Sequence, residues 1–275
     1  MYSGFVDDRR AMLRMTGGAV REVLQGVVTN DVTKLAPGAA VYSALLTPQG
    51  KYLFDFFLLD AGDGSVLIDA AADQADALMA RLKMYCLRRD AKIEAEEALK
   101  TALIWPENED ADAPSIAPEG AIIVADPRVE ALGWRIYSDD PAARLAEADA
   151  EPASRQDHDR LRIAHLVPEA GLELVPEGTF ILEAGFERLH GIDFRKGCYV
   201  GQEVTARMKH KTTLRRGLVR VRVEGEAEPG TAITADGKPA GTLFTIANGE
   251  GLAELRLDRA GPGMQAGVAR VDYDD

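Results

Sequence analysis

Residues 196–203, with the sequence KGCYVGQE, bring together the residue types that a reactive thiol requires. The thiolate is the nucleophilic and metal-binding form of cysteine, and nearby cations or a helix N-terminus stabilise it. Cys198 follows a cation, Lys196, by two residues, and the chain from Gly201 onward can begin a helix. Gly197 and Gly201 permit close backbone approach to a ligand or tight packing. The stretch therefore predicts a reactive or ligand-donating loop, while a cysteine tucked under a glycine turn fits the same residues.

The sequence offers little support for a hydrolase or a zinc site. No arrangement of serine, histidine and acid is typical of a catalytic triad, and a pair of Cys198 with His190 or His210 stays open, because spacing along the chain does not show contact. A zinc site needs three or four clustered ligands, whereas the cysteines here are single and the histidines scattered. We therefore predict no resident metal, although the lone thiolate of Cys198 can bind an iron–sulfur cluster that is shared with a partner.

Charge narrows the classes of partner. The 275 residues carry a formal net charge of −13, and an acidic surface repels phosphate backbones, so nucleic-acid binding is not expected. Residues 207–222 depart from this balance, with seven Lys or Arg and no acid. This segment predicts either solvent-exposed side chains on a strand or a local anion site.

Cysteine usage and apolar runs indicate a compartment. Cys86 and Cys198 are too few for a disulfide framework, which favours a reducing environment. No apolar run reaches the roughly 18 residues that suggest a membrane-spanning helix, so no membrane contact is expected. The first ten residues, MYSGFVDDRR, resemble neither a signal peptide nor a transit peptide. Together these features predict a soluble, cytoplasmic protein.

Hydrophobic periodicity and turn residues predict the elements that position the loop. In the N-terminal part they are a strand at 11–17, a helix at 18–31 closed by Asn30 and Asp31, a hairpin of 40–47 and 52–60, a strand at 65–71 and a helix at 73–88. Strands at 101–106, 121–128 and 133–138 follow, with a surface helix within 139–156 and a short helix at 159–167.

The order of these elements predicts an α+β protein. After Arg207, short strands alternate with Gly and Pro turns, which is typical of a small β-barrel. We predict three domains: an N-terminal α+β subdomain at 1–97, a second α+β subdomain at 98–206 that carries KGCYVGQE, and a C-terminal barrel at 207–275.

The KGCYVGQE stretch is similar to the signature of the YgfZ-type folate-binding proteins, whose mitochondrial relatives assist iron–sulfur cluster assembly. Further segments resemble the family in the same order: LQGVVTNDV (24–32), LLTPQGKYLFDFFLLD (45–60), FILEAG (180–185) and GIDF (191–194). The resemblance implies the fold of the glycine-cleavage T-protein. That fold has two α+β subdomains with antiparallel sheets around a central cavity, plus a small C-terminal β-barrel.

The T-protein is a tetrahydrofolate-dependent aminomethyltransferase, and two departures from its pattern argue against that activity here. The resemblance places its catalytic aspartate at Leu53 or Phe54, with Asp55 one position late. Its pterin-binding glutamate corresponds to Arg135 in GWRI, and a guanidinium cannot accept the hydrogen bonds of a pterin edge. Arg162 does match a folate-contacting arginine of the T-protein.

The resemblance also implies a folate site. Aromatic faces stack on a flat pterin, and cations hold its glutamate tail. The candidate cofactor-binding residues are Arg162, Trp134, Tyr52, Phe54, Tyr199, Gly197 and Gly201.

The first functional hypothesis is a tetrahydrofolate-binding accessory protein for the assembly or repair of iron–sulfur proteins. Cys198 is its reactive thiol or transient cluster ligand, Lys196 tunes that thiol, and Gln202 and Glu203 fix the loop. Its partners are folate and iron–sulfur scaffold or client proteins. One alternative is a folate-dependent transferase of the T-protein type with Asp55 as acid and base. Another is a tRNA-modification accessory factor that uses the basic segment, which the acidic net charge disfavours.

Overall fold

The computed structural model describes residues 1–108, 113–117, 119–211 and 213–274. The chain divides into two compact units. Unit 1 comprises Met1–Leu46, Phe54–Arg155 and Arg188–Val200. Unit 2 comprises Thr47–Leu53, Gln156–Glu187 and Gly201–Asp275.

The secondary structure mixes short strands and helices throughout. In chain order the strands are β1 (Tyr2–Val6), β2 (Arg10–Thr16), β3 (Ala40–Leu46), β4 (Tyr52–Asp60), β5 (Val66–Ala71), β6 (Lys92–Ala95), β7 (Lys100–Pro106), β8 (Ala121–Ala125), β9 (Trp134–Ser138), β10 (Ala150–Pro152), β11 (Arg216–Glu224), β12 (Ala232–Ala235), β13 (Lys238–Ala247), β14 (Glu250–Arg256), β15 (Met264–Ala266) and β16 (Ala269–Asp272). The α-helices are α1 (Val20–Gln25), α2 (Ala75–Cys86), α3 (Pro141–Glu147), α4 (Arg155–Ala164) and α5 (Gln202–Lys211).

Two sheets lie mainly in unit 1, with strand orders β10-β1-β7-β9-β8 and β3-β4-β5-β2-β6. In the first sheet, β1 pairs antiparallel with β7 and parallel with β10. In the second, β2 pairs antiparallel with β5 and β6. Side chains of both sheets, including Met12, Leu67 and Tyr137, form a common buried cluster. The two sheets of unit 1 therefore share a core through these strands.

Helices cover the second sheet of unit 1 because their apolar residues recur at helical spacing. Val23 and Leu24 of α1 and Leu78 and Leu82 of α2 are buried in one cluster with strand residues such as Ile68. The opposite face of α2 is exposed to solvent.

The C-terminal strands of unit 2 close into a barrel in the order β11-β14-β13-β12-β15-β16. Strand β11 shows why: Val219, Val221 and Val223 are buried, while Arg220 and Arg222 between them are exposed. This period of two is that of a strand with one face in a core. Against the barrel, Ile163 of α4 packs with Leu252 of β14.

The α+β fold with antiparallel sheets and a C-terminal β-barrel is confirmed. The predicted helix at 18–31 is wrong in length, since α1 ends at Gln25. Val28 instead forms a bridge with Leu45, and Asn30 bonds to Tyr42, so tertiary pairing interrupts the helical pattern. Within the predicted surface helix at 139–156, the chain forms α3 and then β10.

Strand β1 and residue Gly133 show contacts that spacing along the sequence does not reveal. Tyr2 in β1 is in register with Pro106 in β7, so the first residues of the chain join a sheet of the region predicted as the second domain. Gly133 before β9 has φ +66°, and a Cβ there would lie 2.2 Å from the carbonyl oxygen of Ile104. No α-helix within the described residues is long and apolar enough to cross a membrane.

Candidate functional site

Polar side chains of the segment 29–31 hold the chain just before the cysteine loop. The Thr29 hydroxyl donates to the carbonyl oxygen of Gly191 at 2.7 Å, and the Asn30 amide donates to that of His190 at 2.6 Å. The Asp193 amide donates to the carbonyl oxygen of Thr29 at 3.1 Å. Thr29 and Asn30 are buried, so these bonds are protected from water. They fix the backbone from which the loop departs.

Lys196 anchors the loop itself. Its ammonium donates to the carbonyl oxygens of Gln25 and Val28 at 2.7 Å and 2.5 Å, at and just beyond the C-terminal end of α1. The Gln25 amide in return donates to the carbonyl oxygen of Lys196 at 3.2 Å. The ammonium also lies 5.2 Å from the ring centroid of Tyr199. A cation near exposed helix carbonyls is favourable, so Lys196 ties the loop to α1.

The same contacts perturb the acid–base behaviour of Lys196. Burial lowers its pKa to about 8, although Asp31 and Asp193 oppose the shift. Both carboxyl groups have lowered pKa values, Asp31 chiefly through its bond from Thr33 and Asp193 chiefly through its bond from Lys34. Lys196 is therefore a half-buried cation held mainly by carbonyl oxygens, and its pKa of about 8 lies close to physiological pH.

The cysteine that follows is open to solvent. Cys198 is exposed, whereas Cys86 on α2 is buried and its thiol pKa is raised by burial. Gly197 has φ +95°, and a Cβ added there would meet nothing within 4 Å. Gly197 therefore permits a left-handed backbone on an open part of the surface. Of the two predicted uses of this glycine, approach to a ligand and tight packing, the second does not apply. The thiol stands on an exposed turn whose base is fixed.

Gln202 and Glu203 belong to the first turn of α5, as predicted for the end of the motif. Glu203 is exposed and lies at the positive end of that helix, where a carboxylate is stabilising. Gly201 has φ +84°, and the hairpin residue Gly50 approaches it closely. A Cβ at Gly50 would lie 2.9 Å from Cβ of Val204 and 3.2 Å from the Gly201 oxygen. The segments GQEV and PQGK thus pack together in unit 2.

Arg135, which stands where the T-protein pattern has a glutamate, is bound into a buried ionic network in unit 1. It donates to Asp69 at 2.8 Å and to Asp126 at 3.3 Å, and its guanidinium carbon lies 4.0 Å from the ring centroid of Phe57. Asp69 also accepts from Arg10 at 2.6 Å and from the Tyr137 hydroxyl at 2.8 Å. The network links β2 and β5 of one sheet to β9 of the other.

Charges in this network compensate one another. Burial by itself lowers the pKa of Arg135, but Asp69 and Asp126 outweigh it and hold that pKa well above its usual value. Burial by itself raises the pKa of Asp126, but Arg128 and Arg135 bring it down to about 2. Each buried charge here has partners of opposite sign, which is what keeps it ionised.

Asp55, the predicted acid and base of a transferase, is buried and accepts a hydrogen bond from the Tyr42 hydroxyl at 2.9 Å. Tyr42 and Asp55 are both buried. Arg135 donates hydrogen bonds to Asp69. The geometry lends no support to aminomethyl transfer.

Arg162, the predicted folate contact, forms hydrogen bonds with other residues of unit 2 instead. A guanidinium has five N–H donors. The guanidinium of Arg162 donates five hydrogen bonds of 2.9–3.1 Å to four acceptors: the Asp159 and Glu173 carboxylates, the Val167 carbonyl oxygen and the Thr245 hydroxyl. Its side chain is 1% exposed. No donor is left for a folate carboxylate, so Arg162 holds α4 against the barrel.

The predicted aromatic platforms are also engaged in packing. Tyr52 is fully buried and Tyr199 nearly so. Trp134 is half-buried and meets Tyr2 edge-on, with centroids 6.1 Å apart. Phe54 is partly buried against the core under α1 and α2. The buried rings of Tyr52 and Tyr199 present no open face of the kind that pterin stacking needs.

Glu183 is a carboxylate that sequence reasoning missed. It lies in FILEAG, is half-buried, and has no hydrogen-bond partner for its side chain among the described residues. Burial and the nearby Glu254 raise its pKa, against the influence of Lys51 and Arg216. A half-buried carboxylate with free acceptor capacity fits the donor edge of an amino-pyrimidine. The sequence shows a glutamate at this position of FILEAG, but it does not show that the side chain is half-buried.

The basic segment does not form an anion site in its strand portion. Arg216 pairs with Glu254 at 2.5 Å, Arg220 with Glu250 at 3.8 Å and Arg222 with Asp274 at 2.6 Å. These acids come from neighbouring strands or the chain terminus, so the interpretation as solvent-exposed strand side chains is supported. The strand portion of the segment therefore gives no support to a tRNA-modification accessory factor.

Known proteins resemble this chain along most of its length. The family described as CAF17, C-terminal beta-barrel domain, matches residues 215–274. The mitochondrial iron–sulfur cluster assembly factor IBA57 of Mus musculus is 30% identical over 275 aligned residues, which cover 91% of this chain and 76% of the relative. The Homo sapiens protein of the same name is 28% identical and covers 95% and 82%. In fold, the glycine cleavage aminomethyltransferase T of Bartonella henselae matches with a TM-score of 0.78 at 16% identity, over 98% of this chain and 84% of the other.

These relatives correct one prediction and confirm another. The T-protein-like fold is confirmed by the structural match. The prediction of a cytoplasmic protein is contradicted, because the similar assembly factors are mitochondrial. Cysteine usage separates reducing from oxidising compartments, and it does not separate one reducing compartment from another.

Proposed function

Because this chain belongs to the family of IBA57 iron–sulfur cluster assembly factors, we propose that it acts in the assembly of iron–sulfur proteins through the thiol of Cys198. The observation that carries the role of this thiol is its exposure on a loop whose base is tied down by Lys196, Thr29 and Asn30. A ligand that must meet a cluster held by another protein needs both accessibility and a fixed position.

The cluster is cargo in this proposal, and its other ligands come from a partner protein. Iron–sulfur clusters are held by several cysteine thiolates. Within the described residues, no group of three or more His, Cys, Asp or Glu side chains is placed to hold a metal ion. Cys198 therefore supplies one thiolate to a cluster on a scaffold or client protein. The Cys198 sulfur forms a bond to iron as one donor thiolate leaves, and the thiol proton passes to the departing thiolate.

Lys196 positions the thiol in this proposal. Its ammonium is spent on carbonyl oxygens of Gln25 and Val28, so it holds the loop backbone and carries a positive charge two residues from the sulfur. An anionic cluster approaching the loop is favoured by that charge and by Arg195, whose side chain is 93% exposed. At pH values above the Lys196 pKa of about 8, this ammonium loses its charge, which weakens its hold on the loop and its attraction for the cluster.

A transfer assay tests the role of the thiol. Purified protein is incubated with a scaffold protein carrying a [2Fe–2S] cluster and with an apo-ferredoxin, and cluster arrival is followed by visible circular dichroism. We expect the wild type and Cys86→Ala to support transfer and Cys198→Ser to lose most of it. Equal transfer by Cys198→Ser would remove the thiol from the proposal while leaving the assembly role intact.

Tetrahydrofolate binding is a second, separate proposal, and Glu183 supports it. Its carboxylate can accept two hydrogen bonds from the amino-pyrimidine edge of a pterin. Isothermal titration calorimetry with tetrahydrofolate measures this directly. We expect Glu183→Gln to weaken binding at least about tenfold, in line with the loss of a charged hydrogen bond. Unchanged affinity in Glu183→Gln, or no heat with the wild type, would end this proposal.

A further inference from the structure

The C-terminal end of α2 presents apolar side chains to solvent. Met84 is 61% exposed and Leu87, directly after the helix, is 72% exposed. On the opposite side of the same turns, Leu82 and Cys86 are buried in the core of unit 1. The two exposed side chains are three residues apart, so they lie together on one side of the helix end. Neither is needed by the packing that holds α2 in place.

Cations without ion-pair partners surround these apolar side chains. Arg81, Lys83 and Arg88 are exposed, and none of them forms an ion pair or hydrogen bond with a described residue. The neighbouring Arg89 differs, because it pairs with Glu22. The acid that follows, Asp90, accepts a hydrogen bond from the backbone amide of Gly18. The five residues Arg81, Lys83, Met84, Leu87 and Arg88 are called the α2 patch below.

The α2 patch differs from the exposed arginines of strand β11. The chain has a net charge of −13, and the exposed arginines Arg216, Arg220 and Arg222 of the barrel are all paired with acids. The helix dipole accounts for a cation in the last turn, such as Lys83. It does not account for Arg81, which lies a turn earlier, or for the exposure of Met84 and Leu87. Apolar side chains rimmed by unpaired charges are typical of an interaction surface.

We propose that the α2 patch docks a partner protein through an acidic surface with an apolar centre. Charge complementarity identifies the occupant: three uncompensated cations attract carboxylates, and the two apolar side chains need an apolar contact that they can bury. A phosphate backbone satisfies the cations and leaves Met84 and Leu87 in water. An anionic bilayer has to approach a strongly acidic chain over a patch with only these two apolar side chains. A protein surface satisfies both halves of the patch.

A cross-linking experiment identifies the occupant in cells. The variant Met84→p-benzoylphenylalanine is irradiated in cells that lack the native protein, and the cross-linked peptide is identified by mass spectrometry. We expect a peptide from another protein in which Asp or Glu flanks apolar residues. A cross-link to a second copy of this chain, or to a peptide without acids, would overturn the proposal.

Titration with the identified protein in purified form then tests the chemistry. We expect Lys83→Glu with Arg88→Glu to weaken binding at least about tenfold, because like charges then oppose, and added salt should no longer weaken the binding that remains. Met84→Ser with Leu87→Ser should weaken it comparably by removing the apolar contact. Lys238→Glu and Val268→Ser are matched controls, since Lys238 is exposed and Val268 is 93% exposed on the barrel. All variants are surface changes, and thermal melts verify that they fold.

Two alternative ligands complete the test. Equimolar phosphatidylcholine and phosphatidylglycerol vesicles, and a random double-stranded DNA, are offered to the wild type and to Lys83→Glu with Arg88→Glu. Binding of either that the double variant loses, together with unchanged protein binding, would assign the patch to that ligand and overturn the protein-docking proposal. Failure of the α2 patch leaves the role of Cys198 untouched, because the transfer assay measures that role separately.

Discussion

Two cations of unit 1, the half-buried Lys196 and the buried Arg135, have different partners, and their pKa values are shifted in opposite directions. The Lys196 ammonium donates hydrogen bonds to two backbone carbonyl oxygens, and burial lowers its pKa to about 8. The Arg135 guanidinium donates hydrogen bonds to Asp69 and Asp126, and these carboxylates raise its pKa well above the usual value. The charge of Lys196 is thus only partly compensated by its partners, whereas that of Arg135 is paired with carboxylates.

The difference separates a positioning group from a structural one. A fully paired network locks its members, because moving any of them strands a buried charge. A lysine held by carbonyls keeps a loop in place and still changes its protonation state near physiological pH. On this basis the Arg135 network holds the two sheets of unit 1 together, and we propose that the Lys196 anchor positions the exposed thiol of Cys198.

The largest expected effect comes from breaking the network at its centre. Asp69→Ala leaves Arg10 and Arg135 buried without their shared carboxylate. We expect a loss of about 3–5 kcal/mol in the free energy of unfolding, measured with urea. Asp60→Ala, which breaks the more exposed pair with Arg21, should cost under about 1 kcal/mol and serves as the control. Similar losses in both variants would contradict the contrast.

Acid should weaken the network over a defined range of pH. The pKa of Asp126 is about 2 in the folded protein against 3.8 for the free side chain. Because the folded value is the lower one, this carboxylate contributes stability above pH 3.8, and the contribution is lost as pH falls through 2. The difference corresponds to about 2 kcal/mol. Unfolding free energies over this range should fall less steeply in Asp126→Asn than in the wild type, and equal slopes would refute the assignment.

The loop anchor should matter less to stability. Lys196→Met leaves the carbonyl oxygens of Gln25 and Val28 without their donor. We expect a loss of about 1–3 kcal/mol by urea unfolding, smaller than that of Asp69→Ala, together with slower cluster transfer. Lys238→Met, on an exposed residue, is the control and should change neither quantity. Normal transfer by a folded Lys196→Met protein would show that the anchor does not position the thiol.

The smallest expected effect is a change in the pKa of Lys196 when a nearby carboxylate is removed. Since Asp193 raises the pKa of Lys196, Asp193→Asn should bring that pKa below its value of about 8. Carbon-13 NMR of labelled lysine side chains follows the titration directly. Asp258→Asn, in the barrel, is the control and should leave it in place. An unchanged or higher pKa in Asp193→Asn would show that Asp193 does not raise the pKa of Lys196.

Much of the fold could be predicted from local sequence patterns, such as alternating apolar residues and turn residues. Alternating valines and arginines in β11 indicate a strand with one buried face, and the turn at Pro48 and Gly50 marks the hairpin of β3 and β4. The length of α1 was mispredicted, because Val28 pairs with Leu45, a contact that no local period records. The same limit applies to β1, whose partner strand begins at Lys100.

The candidate site was harder to predict for the same physical reason. Spacing identified Cys198 and Lys196, but the partners of Lys196 lie more than 160 residues earlier in the chain. Arg162 was chosen as a folate contact by resemblance, and only the tertiary structure reveals the carboxylates that occupy it. Glu183 was passed over because its half-buried state depends on the barrel. Residue type suggests chemistry, and burial decides which residues are available for it.

The most direct test of the account is the rescue of iron–sulfur enzyme activity in cells that lack this protein. Wild type, Cys198→Ser and Cys86→Ala are expressed at matched levels, and the activity of a cluster-dependent enzyme is measured. The Cys198→Ser change is exposed and should alter stability by under about 0.5 kcal/mol. We expect rescue by the wild type and Cys86→Ala and loss of rescue by Cys198→Ser. Full rescue by Cys198→Ser would contradict the central claim that the exposed thiol is the working group.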